Sequence, residues 1–252
     1  MKRFLSVVLA LICLLSLAAC VQKQSEPISE AAEFPTPMPL NEREELLRKV
    51  GKMSAENILS YRNETGSEKK VVEAEDFSLS KDAFERNIAL SMLNGKMNEN
   101  EAQEHALRFI TFQSMYYAAL HDGVVVDEEA VRAEVAQQRQ LVESAAEEND
   151  PESGGHDYVV MMEELEKNGV TKDEYWELTM ERWIKDDTII AYTQRLYDAY
   201  LENGGSADDE AAYVRYCMEK TQEAIDAQHV ILHGVKWKLT EENYMKNYWP
   251  AL

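Results

Sequence analysis

Apolar residues recur at three- and four-residue intervals along most of the chain beyond residue 40, the spacing that gathers them on one face of an α-helix. Glycines and short polar segments separate these stretches, as helix ends require. The pattern therefore predicts a mainly α fold for residues 41–252. We predict helices over residues 41–60, 80–94, 100–121, 127–148, 158–168, 172–202 and 206–227.

Polar residues at the starts of several predicted helices support these boundaries. Ser80, Asp127 and Ser206 stand where an N-cap side chain accepts a hydrogen bond from the first helical turn. Thr171 and Glu174 have the spacing of a capping box at the start of the longest predicted helix.

The predicted helix over residues 100–121 differs from the others because apolar residues cover nearly every side of it. A helix that is hydrophobic all round is normally buried. We therefore expect this helix to lie at the centre of the fold.

Strand-like sequence is confined to two short segments. Residues 70–77 and residues 230–232 contain the valines and isoleucine that strands favour. We expect at most one or two short strands beside the helices.

The N-terminal residues predict export rather than a fold element. Lys2 and Arg3 precede an apolar run over residues 4–15, and small residues lead up to Cys20. This is the order of a secretory signal peptide, and the run is short for a membrane-spanning helix. Residues 17–20, Leu-Ala-Ala-Cys, resemble the lipobox of bacterial lipoproteins, which implies a signal peptide over residues 1–19 and an acylated Cys20. The alternative is an ordinary cleaved signal with an incidental cysteine.

Residues 20–40 are expected to link the lipid anchor to the folded part of the chain. Pro35, Pro37 and Pro39 stand at alternate positions, which blocks helix formation and favours an extended chain. We expect the lipid on Cys20 to hold the protein at the extracytoplasmic face of a cell membrane.

The charge balance narrows the classes of partner. The chain carries 47 acidic and 26 basic residues, a formal net charge of −21. Nucleic-acid binding relies on clustered Lys and Arg, so we expect no nucleic-acid partner. The same charge disfavours broad contact with anionic lipid, which leaves the acyl chain as the membrane anchor.

Motifs of covalent and cofactor chemistry are missing from the sequence. There is no Gly-x-Ser-x-Gly and no glycine-rich phosphate loop, so we expect neither enzyme activity nor a cofactor. His229 and His233 have the spacing of helical metal ligands, but no third ligand stands nearby, so packing or surface roles are favoured over metal binding. Cys217 lies in an apolar helical run and is predicted to be buried.

Met and aromatic residues flank the predicted turn at Gly169 and suit a surface that accepts many peptides. The alternative is that all of them belong to the core. The candidates for peptide binding are the exposed members of Met161, Met162, Tyr175, Trp176 and Trp183.

Segments in order along the chain resemble the SurA/PrsA-type chaperone domain. Residues 71–84 resemble its opening, which is a short strand, a turn and a helix beginning Ser/Thr-x-x-x-Phe. Residues 118–129 resemble the end of its long apolar helix with the turn, valine and acidic cap that follow. Residues 169–176 resemble its Gly-Val/Leu-Thr-x-x-x-Tyr/Trp segment. The resemblance runs from residue 70 to residue 203 and implies a multi-helix, SurA N-terminal-like or trigger-factor-like chaperone domain.

Two features depart from the family pattern. Glu75 and Asp76 occupy the turn in which the family usually has Asn-Gly. Too few residues follow Ser206 for the parvulin-type prolyl isomerase domain that many members carry, so we expect that domain to be missing.

These observations give three hypotheses about function. The first is a membrane-anchored, ATP-independent chaperone that binds unfolded or exported polypeptides through apolar surfaces. The second is an adaptor or scaffold lipoprotein that binds one specific partner protein. The third, for which His229 and His233 are the only indication, is a metal-binding lipoprotein.

Overall fold

The computed structural model describes residues 39–63, 68–92, 99–147, 150–151, 153–235 and 238–247. The predicted signal peptide and Cys20 lie outside these residues, and the mainly helical fold is confirmed. The helices are α1 (Leu40–Arg62), α2 (Lys81–Met92), α3 (Glu99–His121), α4 (Glu128–Glu147), α5 (Gly154–Lys167), α6 (Lys172–Glu202), α7 (Glu210–Ala227) and α8 (Glu241–Asn247). The strands are β1 (Lys70–Glu73), β2 (Ser78–Ser80) and β3 (Ile231–Leu232).

The chain divides into two compact units, each built from segments that are distant in sequence. Three of the divisions fall within α2, α4 and α6, where no loop marks them, and another falls at the end of α1. Unit 1 holds the described residues of Met1–Arg62, Ala89–Lys96 and Glu134–Tyr175, and unit 2 holds those of Asn63–Ile88, Met97–Ala133 and Trp176–Leu252.

In unit 1, α1 and α5 lie side by side and run in the same direction. Ion pairs join the start of α1 to the start of α5 and a later turn of α1 to a later turn of α5. They are partly exposed, so each pair contributes little to stability by itself. The pairs are His156–Glu44 at 2.9 Å, Arg43–Asp157 at 3.0 Å and Arg48–Glu163 at 3.6 Å.

A glycine permits the close approach of these two helices. A Cβ atom on Gly51 of α1 would stand 2.9 Å from the Met161 carbonyl oxygen of α5, which is closer than real Cβ contacts allow. Leu47 and Val50 of α1, together with Met162 of α5, are buried in unit 1.

The caps show which helix starts were read correctly from the sequence. Ser80 accepts from the Ala83 N–H at 3.1 Å, and Asp127 accepts from the Ala130 N–H at 3.0 Å. The predicted capping box is present as well, because the Thr171 N–H donates to the Glu174 carboxylate at 2.7 Å.

Two helix starts differ from the prediction. The N-cap of α7 is Asp209, whose carboxylate accepts from the Ala212 N–H at 3.0 Å, whereas Ser206 accepts from the Asp208 N–H before the helix begins. Helix α5 begins at Gly154, within the predicted loop, because Ser153 caps it.

Unit 2 contains a three-stranded antiparallel sheet in the order β2-β1-β3. This is one strand more than the one or two expected. The segment predicted as a single strand over residues 70–77 is interrupted by a turn at Glu75 and Asp76, after which β2 pairs back onto β1. The chain reaches β3 after α7 and adds it to the other edge of β1.

Side chains from the sheet and from five helices form the main core of unit 2. Val72 of β1, Leu79 of β2 and Phe84 of α2 pack with Ile110 of α3 and Val214 of α7. Leu239 and Tyr244, near and within α8, join the same cluster. The sheet, α3 and α7 are therefore held together by apolar burial.

Candidate functional site

More than half of the surface of α3 faces the core. Ala106, Leu107, Ile110, Met115 and Ala119 are at most 7% exposed. These small and aliphatic residues pack into the two core clusters of unit 2. The prediction of a central, buried helix is therefore correct for these residues but not for the whole of α3.

Another side of α3 carries large aromatic side chains that are only partly buried. They are Phe109, Phe112, Tyr116 and Tyr117; the first three recur at three- and four-residue spacing, and Tyr117 lies beside them at the edge of the buried side. Leu120 continues the row and is 42% exposed. We call the four aromatic residues the aromatic face. Its partial exposure corrects the expectation that α3 is buried on all sides.

Three rings of the aromatic face make contacts with one another or with a ring from the hairpin. Tyr116 and Tyr117 meet edge to face at a centroid separation of 5.3 Å. Phe77, in the turn between β1 and β2, stacks on Tyr117 at 6.1 Å and meets Phe109 edge to face at 5.8 Å. Edge-to-face and stacked contacts are both favourable for aromatic rings, so these contacts favour the observed ring orientations.

Charged groups lie at the margins of the aromatic face. The Lys185 ammonium of α6 stands 5.4 Å from the centroid of the Tyr116 ring, a cation–π distance. The Asp76 carboxylate lies 3.4 Å from the His121 imidazole at the end of α3. Burial raises the pKa of the Tyr117 phenol, and the charge of Asp76 raises it further, so Tyr117 stays neutral at physiological pH.

A buried glutamine joins the turn of Asp76 to the end of α7. Gln228 is 2% exposed, and its side-chain amide donates to the Asp76 carboxylate at 2.8 Å. Its side-chain oxygen accepts from the Asp76 N–H at 3.1 Å, and its backbone carbonyl accepts from the Glu75 N–H at 3.0 Å. These three bonds hold the turn to the end of α7.

The residues predicted to bind peptides differ in their exposure. Met161, Met162 and Trp176 are buried, with exposures of 5%, 1% and 6%. Tyr175 and Trp183 are partly exposed. Three of the five thus serve the core, and a role in peptide binding remains a prediction for Tyr175 and Trp183.

The aromatic face was not predicted, because hydrophobic residues on all sides of α3 were taken to indicate burial on all sides. The distribution of small and aromatic residues around the helix does distinguish the two sides. Along α3, Ala106, Ile110 and Ser114 recur at four-residue spacing on one side, and the rings of Phe112 and Tyr116 fall on the other. Small side chains permit close packing of helices, whereas rings with a polar end suit a boundary with water.

The two histidines with metal-ligand spacing do not share a helix. His229 lies in the turn after α7 with a φ of 48°, and His233 follows β3 and contacts Glu73 at 3.1 Å. Within the described residues, no three His, Cys, Asp or Glu side chains gather in a way that could hold a metal ion.

A shallow depression lies along α4. Arg139, Gln140 and Glu143 line it, and all belong to one helix face. Arg139 already donates to Glu143 at 2.9 Å and to Asp173 at 2.7 Å. Because these charges satisfy one another, the aromatic face is the better candidate for binding.

Comparisons with protein-family models, curated proteins and solved structures gave no match for this chain. Among the helices described here, none has the length and apolar character needed to cross a membrane.

Proposed function

We propose that this protein is a membrane-anchored, extracytoplasmic chaperone that binds unfolded exported polypeptides through apolar contacts and without ATP. The aromatic face of α3 is the observation that carries the proposal. It places four adjacent rings at the boundary between the core of unit 2 and solvent.

Two features of the sequence support the same proposal. The leader and the lipobox-like residues 17–20 favour export and lipid attachment of Cys20. The resemblance of residues 70–203 to the SurA/PrsA-type chaperone domain favours a polypeptide as the ligand. The proposed activity consists of binding and release, so it requires no catalytic residue.

The physical basis of binding is the burial of ring surface. Apolar surface contributes roughly 25 cal/mol for each Å² removed from water. Ordering an unfolded chain opposes this gain. Binding is therefore expected to be weak and reversible, as holding and releasing a polypeptide requires.

The proposal is tested by truncating the rings of the aromatic face. Phe112→Ala and Tyr116→Ala should each weaken binding to an unfolded polypeptide by roughly ten-fold, because aromatic residues are enriched among the few contact residues whose truncation costs more than about 1 kcal/mol. The measurements are light scattering of aggregating unrelated proteins and the affinity for a reduced, carboxymethylated protein that stays unfolded.

A matched control removes an aromatic ring elsewhere. Tyr61 of unit 1 is 45% exposed, and Tyr61→Ala should leave binding unchanged. Melting temperatures of all variants must stay within a few degrees of the wild type. If both α3 variants remain folded and still suppress aggregation fully, the aromatic face is not the binding surface. Activity toward one protein alone would favour the adaptor hypothesis.

The salt and heat-capacity responses test the apolar character of binding. Affinity should survive moderate salt, since screening at physiological ionic strength acts mainly on exposed charges. Binding should show a negative heat-capacity change, which marks the burial of apolar surface. Loss of binding in moderate salt would point to charge as the driving force.

A further inference from the structure

The turn between β1 and β2 lies against the aromatic face. Residues 74–77 form this turn, which we call the strap, and the Ala74 N–H closes it by donating to the Phe77 carbonyl at 2.9 Å. Phe77 is the last residue of the strap, and its ring contacts Tyr117 and Phe109. The strap therefore covers part of the ring surface that the proposed function requires.

Gln228 fixes the strap from the end of α7. It is bonded to the strap at both Glu75 and Asp76, through its backbone carbonyl and both polar atoms of its side chain. A glutamine that is 2% exposed must satisfy its amide within the protein, because an unpaired buried amide is costly. The bonds to Asp76 meet that requirement, so the position of Gln228 and that of the strap depend on each other.

A second contact to Asp76 of the strap comes from α3. The Asp76 carboxylate that accepts from Gln228 also faces the His121 imidazole at 3.4 Å. His121 is largely exposed, and its contact is longer than the bond from Gln228. Of these two side chains, Gln228 therefore makes the closer contact with Asp76.

We propose that Gln228 is a positioning residue that limits access to the aromatic face by holding the strap over Phe109 and Tyr117. This inference rests on the proposed function and concerns the regulation of the same surface. Release of the strap removes the Phe77 ring from its neighbours and enlarges the apolar surface that a polypeptide can contact.

The size of the effect follows from the equilibrium between closed and open straps. A hydrogen bond contributes a net factor of roughly 2 to 13 to such an equilibrium. Apparent affinity rises in proportion to the fraction of molecules that are competent to bind. Loss of the two side-chain bonds of Gln228 should therefore raise affinity by roughly ten-fold.

The experiment compares two glutamines near the C-terminal end of α7. Gln228→Leu removes both side-chain bonds to Asp76 and keeps the backbone carbonyl that accepts from Glu75. Gln222→Leu is the matched control, because Gln222 of α7 donates to Asp226 at 2.8 Å and has no bond to the strap among those described. Purified full chains are assayed for hydrogen exchange at the Asp76 amide and for affinity toward a reduced, carboxymethylated lactalbumin.

Gln228→Leu should speed hydrogen exchange at the Asp76 amide and bind the unfolded probe roughly ten-fold more tightly. Gln222→Leu should leave both the exchange rate and the affinity unchanged. Phe77→Ala provides an independent variant should Gln228→Leu unfold. It keeps the bonds of Gln228 but removes the covering ring, so it should also bind more tightly.

Two results would overturn the inference. If the wild type binds the probe and Gln228→Leu exchanges faster without binding more tightly, the strap does not limit access. If Phe77→Ala binds more weakly, Phe77 is a contact rather than a cover. Failure of the proposed function is separate, since it appears as a wild type that neither binds the probe nor suppresses aggregation.

Discussion

Cys217 and several tyrosines show how burial in unit 2 sets the chemistry of single residues. Burial raises the pKa of the Cys217 thiol, and a hydrogen bond with Tyr213 only partly opposes this effect. The thiol is therefore held in its unreactive form. The prediction that Cys217 is a buried packing residue is confirmed.

The buried tyrosines predict a loss of stability in alkaline solution. Burial raises the pKa of Tyr192 and of Tyr244 to about 12, and it raises that of Tyr213 as well. An unfolded tyrosine titrates near pH 10. The folded state therefore binds more protons than the unfolded state above pH 10, and stability should be complete below pH 10 and fall as pH rises towards 12.

Urea unfolding at a series of pH values checks this prediction, together with tyrosinate absorbance of the folded protein. Tyr192→Phe provides the comparison, because it deletes one titrating group and should reduce the loss of stability between pH 10 and 12. A free energy of unfolding that stays constant over this range would contradict the prediction.

At the scale of elements, helix boundaries follow from local chemistry. The caps at Ser80 and Asp127 and the capping box at Thr171 and Glu174 each involve residues three positions apart. Such contacts form within one turn of chain, so a sequence pattern is enough to predict them. The cap of α7 was misplaced because Ser206 and Asp209 both have capping side chains, and packing of the helix decided between them.

Two adjacent glycines at the start of α5 should respond oppositely to substitution. A Cβ atom on Gly155 would stand 2.4 Å from the backbone of Ala145, whereas one on Gly154 would meet nothing within 4 Å. Backbone cannot move aside as a side chain can. Gly155→Ala should therefore destabilise the protein by about 2 kcal/mol or more, and Gly154→Ala should be neutral or stabilise it by up to about 1 kcal/mol.

Chemical denaturation of the two variants tests this pair directly. Both carry the same added methyl group in the same helical turn, so a difference in helix propensity is excluded. Equal stability of the two variants would show that α4 and α5 are less closely packed at Ala145 than the structure indicates.

At the scale of the whole molecule, no pattern in the sequence indicates two compact units. Residues 41–252 are predicted as one helical domain, and three of the divisions fall inside α2, α4 and α6, where periodicity continues without a break. Composition shifts and linkers mark boundaries between consecutive domains. They do not mark units assembled from interleaved segments.

The anchoring of the whole molecule is tested at Cys20. If Cys20 is acylated, Cys20→Ser should release the protein from the membrane fraction into the soluble fraction. Cys13→Ser is the matched control, because Cys13 lies in the apolar run of the leader, and this variant should stay with the membrane. Membrane pelleting of Cys20→Ser to the same extent as the wild type would contradict the lipoprotein prediction.

The sequence by itself determined the positions of the helices and most of their ends, because helix periodicity and caps depend on residues within a few positions of one another. Tertiary structure decided which face of α3 is covered and how the hairpin turn is held. The bonds between Asp76 and Gln228 join residues 152 positions apart, and no local pattern specifies such a pair. The same long-range packing buries Met161, Met162 and Trp176 and leaves the rings of the aromatic face partly exposed.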